Sequence, residues 1–236
     1  MNHIINGVHR AAILSDIHLP YEDKDALTKA LKLTKEFSPD IIILNGDICD
    51  CISLSRYSRS LDERNFNEEV KAVRKFLYDL RRRFPLANIL YRIGNHEQRV
   101  QKFLIEKAAE LSELDELMLP SLFHLKQLKI NWLESEDLLD LCGLKVLHGH
   151  EVSGTLQVFP ARGLQLATMC SSICGHSHRS SFFIARNIER KVIQSWTCGC
   201  LANLRPKFSI NNNWIHGIAL VETKGRDKFT VRLENW

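Results

Sequence analysis

Five short clusters rich in aspartate, histidine and asparagine punctuate this chain, each directly after an apolar run. Asp16-Ile17-His18 follows Ala11-Ala12-Ile13-Leu14, Gly46-Asp47 follows Ile41-Ile42-Ile43-Leu44, and Gly94-Asn95-His96-Glu97 follows Ile89-Leu90-Tyr91. His148-Gly149-His150 follows Leu144-Lys145-Val146-Leu147, and Gly175-His176-Ser177-His178 follows Ser172-Ile173-Cys174. Oxygen ligands mixed with imidazoles suit first-row metals such as manganese, iron, zinc or nickel, whereas an all-oxygen set would suit magnesium or calcium. Two such ions roughly 3.5–4 Å apart can share a carboxylate and a hydroxide and clamp both oxygens of an in-line displacement at phosphorus. Asp47, in the tight turn Asn45-Gly46-Asp47, is the best-placed shared carboxylate. His176 and His178, on one turn, can aim two imidazoles at neighbouring ions, while Gly94 and Gly175 let the backbone come close.

Side chains so far apart in sequence need a scaffold that gathers them. Open α/β sheets carry ligand chemistry just past the carboxyl ends of their strands, so one layout would bring all five clusters to one rim. Strands are expected at 8–15, 40–45 and 88–93. Helices are expected at 25–37, with Leu27, Ala30, Leu31 and Thr34 on one side, and at 67–83. Pro39 and Pro85 close the two helices. Alternation of strand and helix implies a parallel sheet with right-handed crossovers, and the unbroken Ile/Leu run at 40–45 reads as a strand buried on both faces. Residues 98–128 read as a helical insert, with a helix over 98–112 and a break at Pro120. Beyond Gly143, strands at 145–147, 171–174, 182–187, 191–197, 215–223 and 228–233, with hairpin turns at 187–190 and 224–227, predict a second, more antiparallel sheet packed on the first.

A chain of 236 residues is long enough for one sizeable core, and a single domain over 1–236 is the expectation. Its apolar stretches are far short of the roughly 20 residues that span a bilayer, and Met1-Asn2-His3 opens no signal-peptide pattern. The expectation is therefore a soluble, cytoplasmic protein. Seven cysteines, an odd number spread along the chain, suit a reducing compartment rather than a disulfide framework. Cys49-x-Cys51 and Cys198-x-Cys200 lack the usual zinc-finger spacing and read as core fillers. A net charge of +4 fits anionic substrates without demonstrating nucleic-acid binding.

The ordered set D-x-H, G-D-x-x-D, G-N-H-E, H-G and G-H-x-H resembles the calcineurin-like metallophosphoesterases over about residues 13–178. Each piece is weak alone, and the order is what makes the set specific. The resemblance implies an α/β fold of two sheets in a β-sandwich flanked by helices, and a hydrolase using two divalent ions, manganese first. It implies that one ion is held by Asp16, His18, Asp47 and His178, and the other by Asp47, Asn95, His148 and His176. His96 matches the family's histidine that protonates the leaving oxygen or steadies the transition state, and Asp50 matches its acidic partner. The family pattern prefers His148, directly after the strand, over His150, which is left beside the ligands or in contact with substrate.

Substrate class is argued from charge. Two dications less two carboxylates and a hydroxide leave about +1, which balances a diester, while a monoester dianion wants a further cation. The first motif lacks the glycine that follows it in protein phosphatases, and Cys51 stands where those enzymes carry arginine. The expectation is therefore a phosphodiesterase or nuclease acting on nucleotides, DNA or RNA. Arg56, Tyr57, Arg59, His150 and Arg179 are expected near the substrate, with Arg92 and Arg99 as further candidate clamps. The alternatives are a phosphomonoesterase and a non-catalytic scaffold of the same fold. The oligomeric state is left open.

Overall fold

Isoleucine and leucine runs with no polar interruption build the centre of the first sheet, because a strand covered on both faces needs apolar side chains at every position. The computed structural model describes residues 2–55, 65–206 and 211–236. In chain order its elements are β1 (Asn2–Ile5), β2 (Arg10–Leu14), α1 (Lys24–Phe37), β3 (Ile41–Asn45), α2 (Phe66–Arg83), β4 (Asn88–Arg92), α3 (Gln98–Lys107) and α4 (Leu119–Leu122). Then come β5 (Ile130–Leu133), β6 (Leu138–Leu141), β7 (Leu144–Val146), α5 (Pro160–Thr168), β8 (Ser172–Cys174), β9 (Ser180–Arg186), β10 (Val192–Cys198), β11 (Gly217–Thr223) and β12 (Phe229–Asn235).

Two mixed sheets form a sandwich flanked by helices. One has the order β12-β11-β2-β3-β4-β5 and the other β1-β6-β7-β8-β10-β9. The two-residue period of a strand divides the first sheet's side chains between two cores. Ala12, Leu14, Ile42 and Leu44 face outward to pack with Ala26, Ala30, Val73 and Leu77 of α1 and α2. Ala11, Ile13, Ile41 and Ile43 face inward against Leu139, Leu144, Val146, Ile173 and Trp196 of the other sheet. Helix α1 starts where the Asp23 side chain accepts from Ala26 N–H at 2.9 Å and ends at Ser38 in a left-handed conformation.

Three expectations need correction. The C-terminal hairpin β11–β12 joins the first sheet, antiparallel to β2, rather than the second. Its alternation is equally compatible with either sheet, so sequence pattern does not decide the partner. The second sheet is mixed, with β1–β6, β7–β8 and β8–β10 parallel. Pro120 opens α4 instead of breaking a helix, since proline lacks only an N–H that the first turn leaves unpaired anyway. The four-residue strands β1, β5 and β6 and the helix α5 went unmarked because each is too short to show a period. No helix among the described residues is long and apolar enough to cross a membrane.

Candidate metal centre

Each cluster lies just past the carboxyl end of a strand: Asp16 and His18 after β2, Asp47 after β3, Asn95 and His96 after β4, His148 after β7, and His176 and His178 after β8. The first three strands belong to one sheet and the last two to the other, so the clusters meet at one rim of the sandwich. The loop after β2 is laddered onto the loop after β3: Asp16 N–H donates to the Gly46 carbonyl at 3.1 Å, His18 N–H to Asp47 at 2.9 Å and Leu19 N–H to Ile48 at 2.8 Å. Asn45 ties the sheets together. Its carbonyl accepts from Ser15 Oγ at 3.0 Å and His148 Nδ1–H at 2.7 Å, and its Nδ2 donates to the Leu147 carbonyl at 2.7 Å.

Backbone conformation marks the same residues. Asp16, His18, Asp47, His176 and His178 all have φ between 52° and 60°. Aspartate and histidine tolerate this left-handed region better than most side chains, but each such position still costs on the order of 1 kcal/mol and persists only where its surroundings enforce it. Gly175 is required by close approach, because a Cβ there would collide with Ser15 Oγ and the Asp16 carboxylate.

Nitrogen and oxygen atoms in this cluster face one another, which is the test of whether cations fit. The carbonyl of Asn45 can only accept, so His148 donates Nδ1–H to it and turns Nε2 towards Asp47 Oδ2 at 3.3 Å and Asn95 Oδ1 at 3.2 Å. His18 likewise donates Nδ1–H to Asp50 Oδ1 at 2.7 Å, leaving its Nε2 facing His178 Nε2 at 3.1 Å and Asp47 Oδ2 at 3.9 Å. His178 Nε2 is also 3.2 Å from Asp16 Oδ1. Ring nitrogens and carboxylate oxygens packed this closely need a proton or a cation among them, and the mixed nitrogen and oxygen donors fit a first-row metal. Ligand atoms of Asp16, His18 and His178, and of Asp47, His148 and His176, form two groups compact enough to hold an ion each.

Electrostatics point the same way. Burial disfavours the charged forms of Asp16 and Asp47, but the surrounding imidazoles outweigh it and hold both carboxyls below the usual range. Burial also pulls the His148 imidazole down, yet Asp47 and Asp16 drive it up to about 10. Burial and the charge of His148 together lower His176 to about 4. Without a metal, the site recruits a proton onto His148 as its cation.

Asp50 has two imidazole partners. Besides His18, its Oδ1 accepts from His96 Nδ1–H at 3.0 Å, and its own carbonyl lies 2.8 Å from the same nitrogen. Burial acts against His96 becoming charged, but Asp47 and Asp50 raise its pKa above the ordinary value. Arg99 donates from Nη1 to the Asp50 carbonyl and from Nη2 to His96 Nε2, both at 3.0 Å. A guanidinium therefore stands beside the nitrogen that would face a leaving oxygen.

Sequence context gives Glu97 no role, yet it is fully buried and organises the loop that carries Asp47. Its carboxylate accepts from the N–H groups of Asp47, Ile48, Cys49 and Gly94 and from Tyr91 O–H, at 2.7–3.0 Å. The glutamate in G-N-H-E was the available signal. Glu151 does a similar job on the other sheet, accepting from His148 N–H at 3.3 Å and Gly149 N–H at 2.6 Å.

The expected substrate contacts fare unevenly. Arg56, Tyr57 and Arg59 lie outside the described residues. Arg179 is turned to the carbonyls of Leu156, Gln157 and Val158, where it pins a loop. Arg92 is buried and donates to the carbonyls of Glu134 and Asp137, so neither guanidinium is placed as a phosphate clamp. His150 stands beside the cluster, its ring 5.3 Å from that of His148 and 6.3 Å from that of His176. A cavity of about 590 Å³ opens over His18, Asp47, Asp50, Asn95, His96, His176 and His178. Its lining also includes Tyr21, Asn203, Arg205 and Trp214, none of which stood out in the sequence. Cys49, Cys51 and Glu69 form another compact buried group, but Glu69 is occupied by Ser53 and by Ile52 N–H.

The calcineurin-like phosphoesterase family matches residues 9–173. Gene 54 protein of Mycobacterium phage L5 is 24% identical over 246 residues, covering 92% of this chain and 90% of its own. Among solved structures, Vps29 from Entamoeba histolytica complexed with zinc is similar with a TM-score of 0.48 at 12% identity, covering 96% of this chain and 98% of the other. A dimetal phosphatase from Danio rerio has a TM-score of 0.45 at 13% identity, covering 95% and 98%.

Proposed function

Because the chain belongs to the calcineurin-like phosphoesterase family, we propose that it hydrolyses phosphoester bonds using two divalent ions, manganese first, and that its substrates are diesters in nucleotides or nucleic acids. The observation that carries this reading is the convergence of Asp16, Asp47, Asn95 and four imidazoles, whose nitrogen and oxygen atoms gather in two compact groups. In the proposal Asp16, His18, Asp47 and His178 hold one ion, and Asp47, Asn95, His148 and His176 hold the other. Ions bound there would supply Lewis acidity, lowering the pKa of a water and polarising the phosphoryl group.

The protein's own groups do the rest. Asn45 and Asp50 fix the tautomers of His148 and His18, so that Nε2 of each is the free donor. His96, raised by Asp47 and Asp50, is the group suited to carry a proton to the departing oxygen, which requires its Nε2 to exchange the Arg99 hydrogen bond for a proton. Asp50→Ala removes the acceptor of His18 Nδ1–H while His96 keeps the Asp50 carbonyl. Its expected effect is about a 10- to 100-fold loss of manganese affinity, measured by calorimetry, together with a fall in kcat at saturating metal because His96 loses one of the carboxylates that raise it.

Metal uptake should follow pH in a defined direction. His148 in the metal-free protein is protonated below about 10, and the ion needs its bare nitrogen. Apparent manganese affinity is therefore expected to rise by about tenfold per pH unit between roughly pH 7 and 9, with about one proton released. Titrations in buffers of differing ionisation heat check this, and a flat profile contradicts it.

Arg99 supports a second reading. Its guanidinium supplies the additional cation that a monoester dianion would want, and that the charge balance for a diester does not include. Comparing bis-p-nitrophenyl phosphate with p-nitrophenyl phosphate under manganese separates the two. The diester should be turned over faster, and Arg99→Ala should depress monoester cleavage more than diester cleavage. Preference for the monoester in the unaltered protein would replace the diester reading.

A further inference from the structure

We infer that the part of the cavity lining formed by Tyr21, Asn203, Arg205 and Trp214, beside the candidate ligand His178, is a subsite for a nucleobase, which makes nucleotidyl esters the substrate class. The inference rests on the phosphoesterase reading above and adds what flanks the reacting phosphate. Trp214 packs edge-on against the candidate ligand His178, with ring centroids 4.2 Å apart. Tyr21 is 41% exposed at the rim, and both rings line the space over the candidate ligands.

The wall is held in register with those ligands through the backbone. Tyr21 N–H donates to the His18 carbonyl at 2.6 Å, and Ile215, next to Trp214, donates to the His178 carbonyl at 2.9 Å. Asn203 N–H donates to the Tyr21 carbonyl at 3.2 Å, and Leu201 N–H to Asp16 at 3.0 Å. Trp214 N–H is fixed in turn by Asn212 Oδ1 at 3.0 Å. These bonds tie both residues to the ligand-bearing turns.

The chemistry of the wall selects the ligand. Two aromatic side chains offer stacking to a flat group, which any base provides, and an amide and a guanidinium beside them suit polar edges and a flanking phosphate. The carboxamide oxygen of Asn203 accepts from Arg205 N–H at 2.8 Å, which orients the amide. A cavity of about 590 Å³ falls within the size range of small-ligand sites and accommodates more than a bare phosphoryl group.

Calorimetric titration of the metal-free protein with adenosine 5′-monophosphate and with ribose 5-phosphate tests the subsite apart from turnover. The nucleotide should bind at least about tenfold more tightly, and Trp214→Ala should weaken it by about 5- to 100-fold while leaving ribose 5-phosphate within about twofold. Trp214→Phe, which keeps a ring, should retain most of the preference and guards against a merely misfolded alanine variant. Equal binding of the two probes, or no nucleotide binding at millimolar concentration, overturns the subsite. Cleavage of bis-p-nitrophenyl phosphate without a base preference would leave the phosphoesterase reading standing and this inference refuted. A base preference with no cleavage of any ester would leave the base subsite standing and refute the phosphoesterase reading together with the substrate class that rests on it.

Discussion

Asp47→Asn is expected to lower kcat by at least about a hundredfold while leaving the fold intact. Oδ1 of Asp47 accepts from His96 N–H at 2.9 Å, and Oδ2 faces His148, His96 and His18 at 3.3–3.9 Å. An asparagine is nearly isosteric and keeps the first bond, but it presents an NH2 where the shared carboxylate oxygen stood. Removing a group that merely orients a ligand costs about 10- to 100-fold in affinity or activity, so removing the shared ligand should cost at least the upper figure. The melting temperature should stay within about 4 °C of the parent, since no cavity or unpaired backbone donor is created. Steady-state kinetics under excess manganese and a thermal melt check both halves. Turnover near the parental rate would remove the two-metal mechanism.

Glu97→Ala is expected to act on stability. Four backbone N–H groups and the Tyr91 hydroxyl converge on this carboxylate in a fully buried position. Each buried donor left without a partner costs about 1–3 kcal/mol, although water and relaxation recover part of it. A net loss of about 4 kcal/mol or more is expected, a large share of a domain's total. Glu97→Gln should lose less, about 2 kcal/mol, because its remaining oxygen still serves part of the set while its NH2 opposes the rest. Urea unfolding measures both variants, and a loss below about 1 kcal/mol for the alanine would show that the loop organises itself by other means.

The parallel core β2, β3 and β4 of the first sheet was legible because these strands are apolar runs and the helices between them end at prolines. Ile41–Asn45 and Phe66–Arg83 fall within one residue of their expected spans. The partner of the final hairpin was not legible, since alternation specifies which face is buried and says nothing of the neighbouring strand. Cluster by cluster, the sequence placed each candidate ligand after a strand because such positions carry aspartate, asparagine and histidine beside glycine. What it could not show is how those turns are locked. The contact of Asn45 with both sheets, the two imidazoles on Asp50 and the guanidinium of Arg99 on the Asp50 carbonyl all depend on side-chain directions across more than 30 residues of chain. The aromatic wall escaped notice for a related reason. Tyr21 and Trp214 are nearly 200 residues apart, and single aromatic residues in loops carry no pattern.

Diffraction from crystals grown with manganese, collected at the metal's absorption edge, tests the central claim most directly. Two anomalous peaks about 3.5–4 Å apart are expected, flanking the Asp47 carboxylate, with His18 and His178 beside one and Asn95, His148 and His176 beside the other. No peak at this rim, or occupancy only at Cys49, Cys51 and Glu69, would contradict the account.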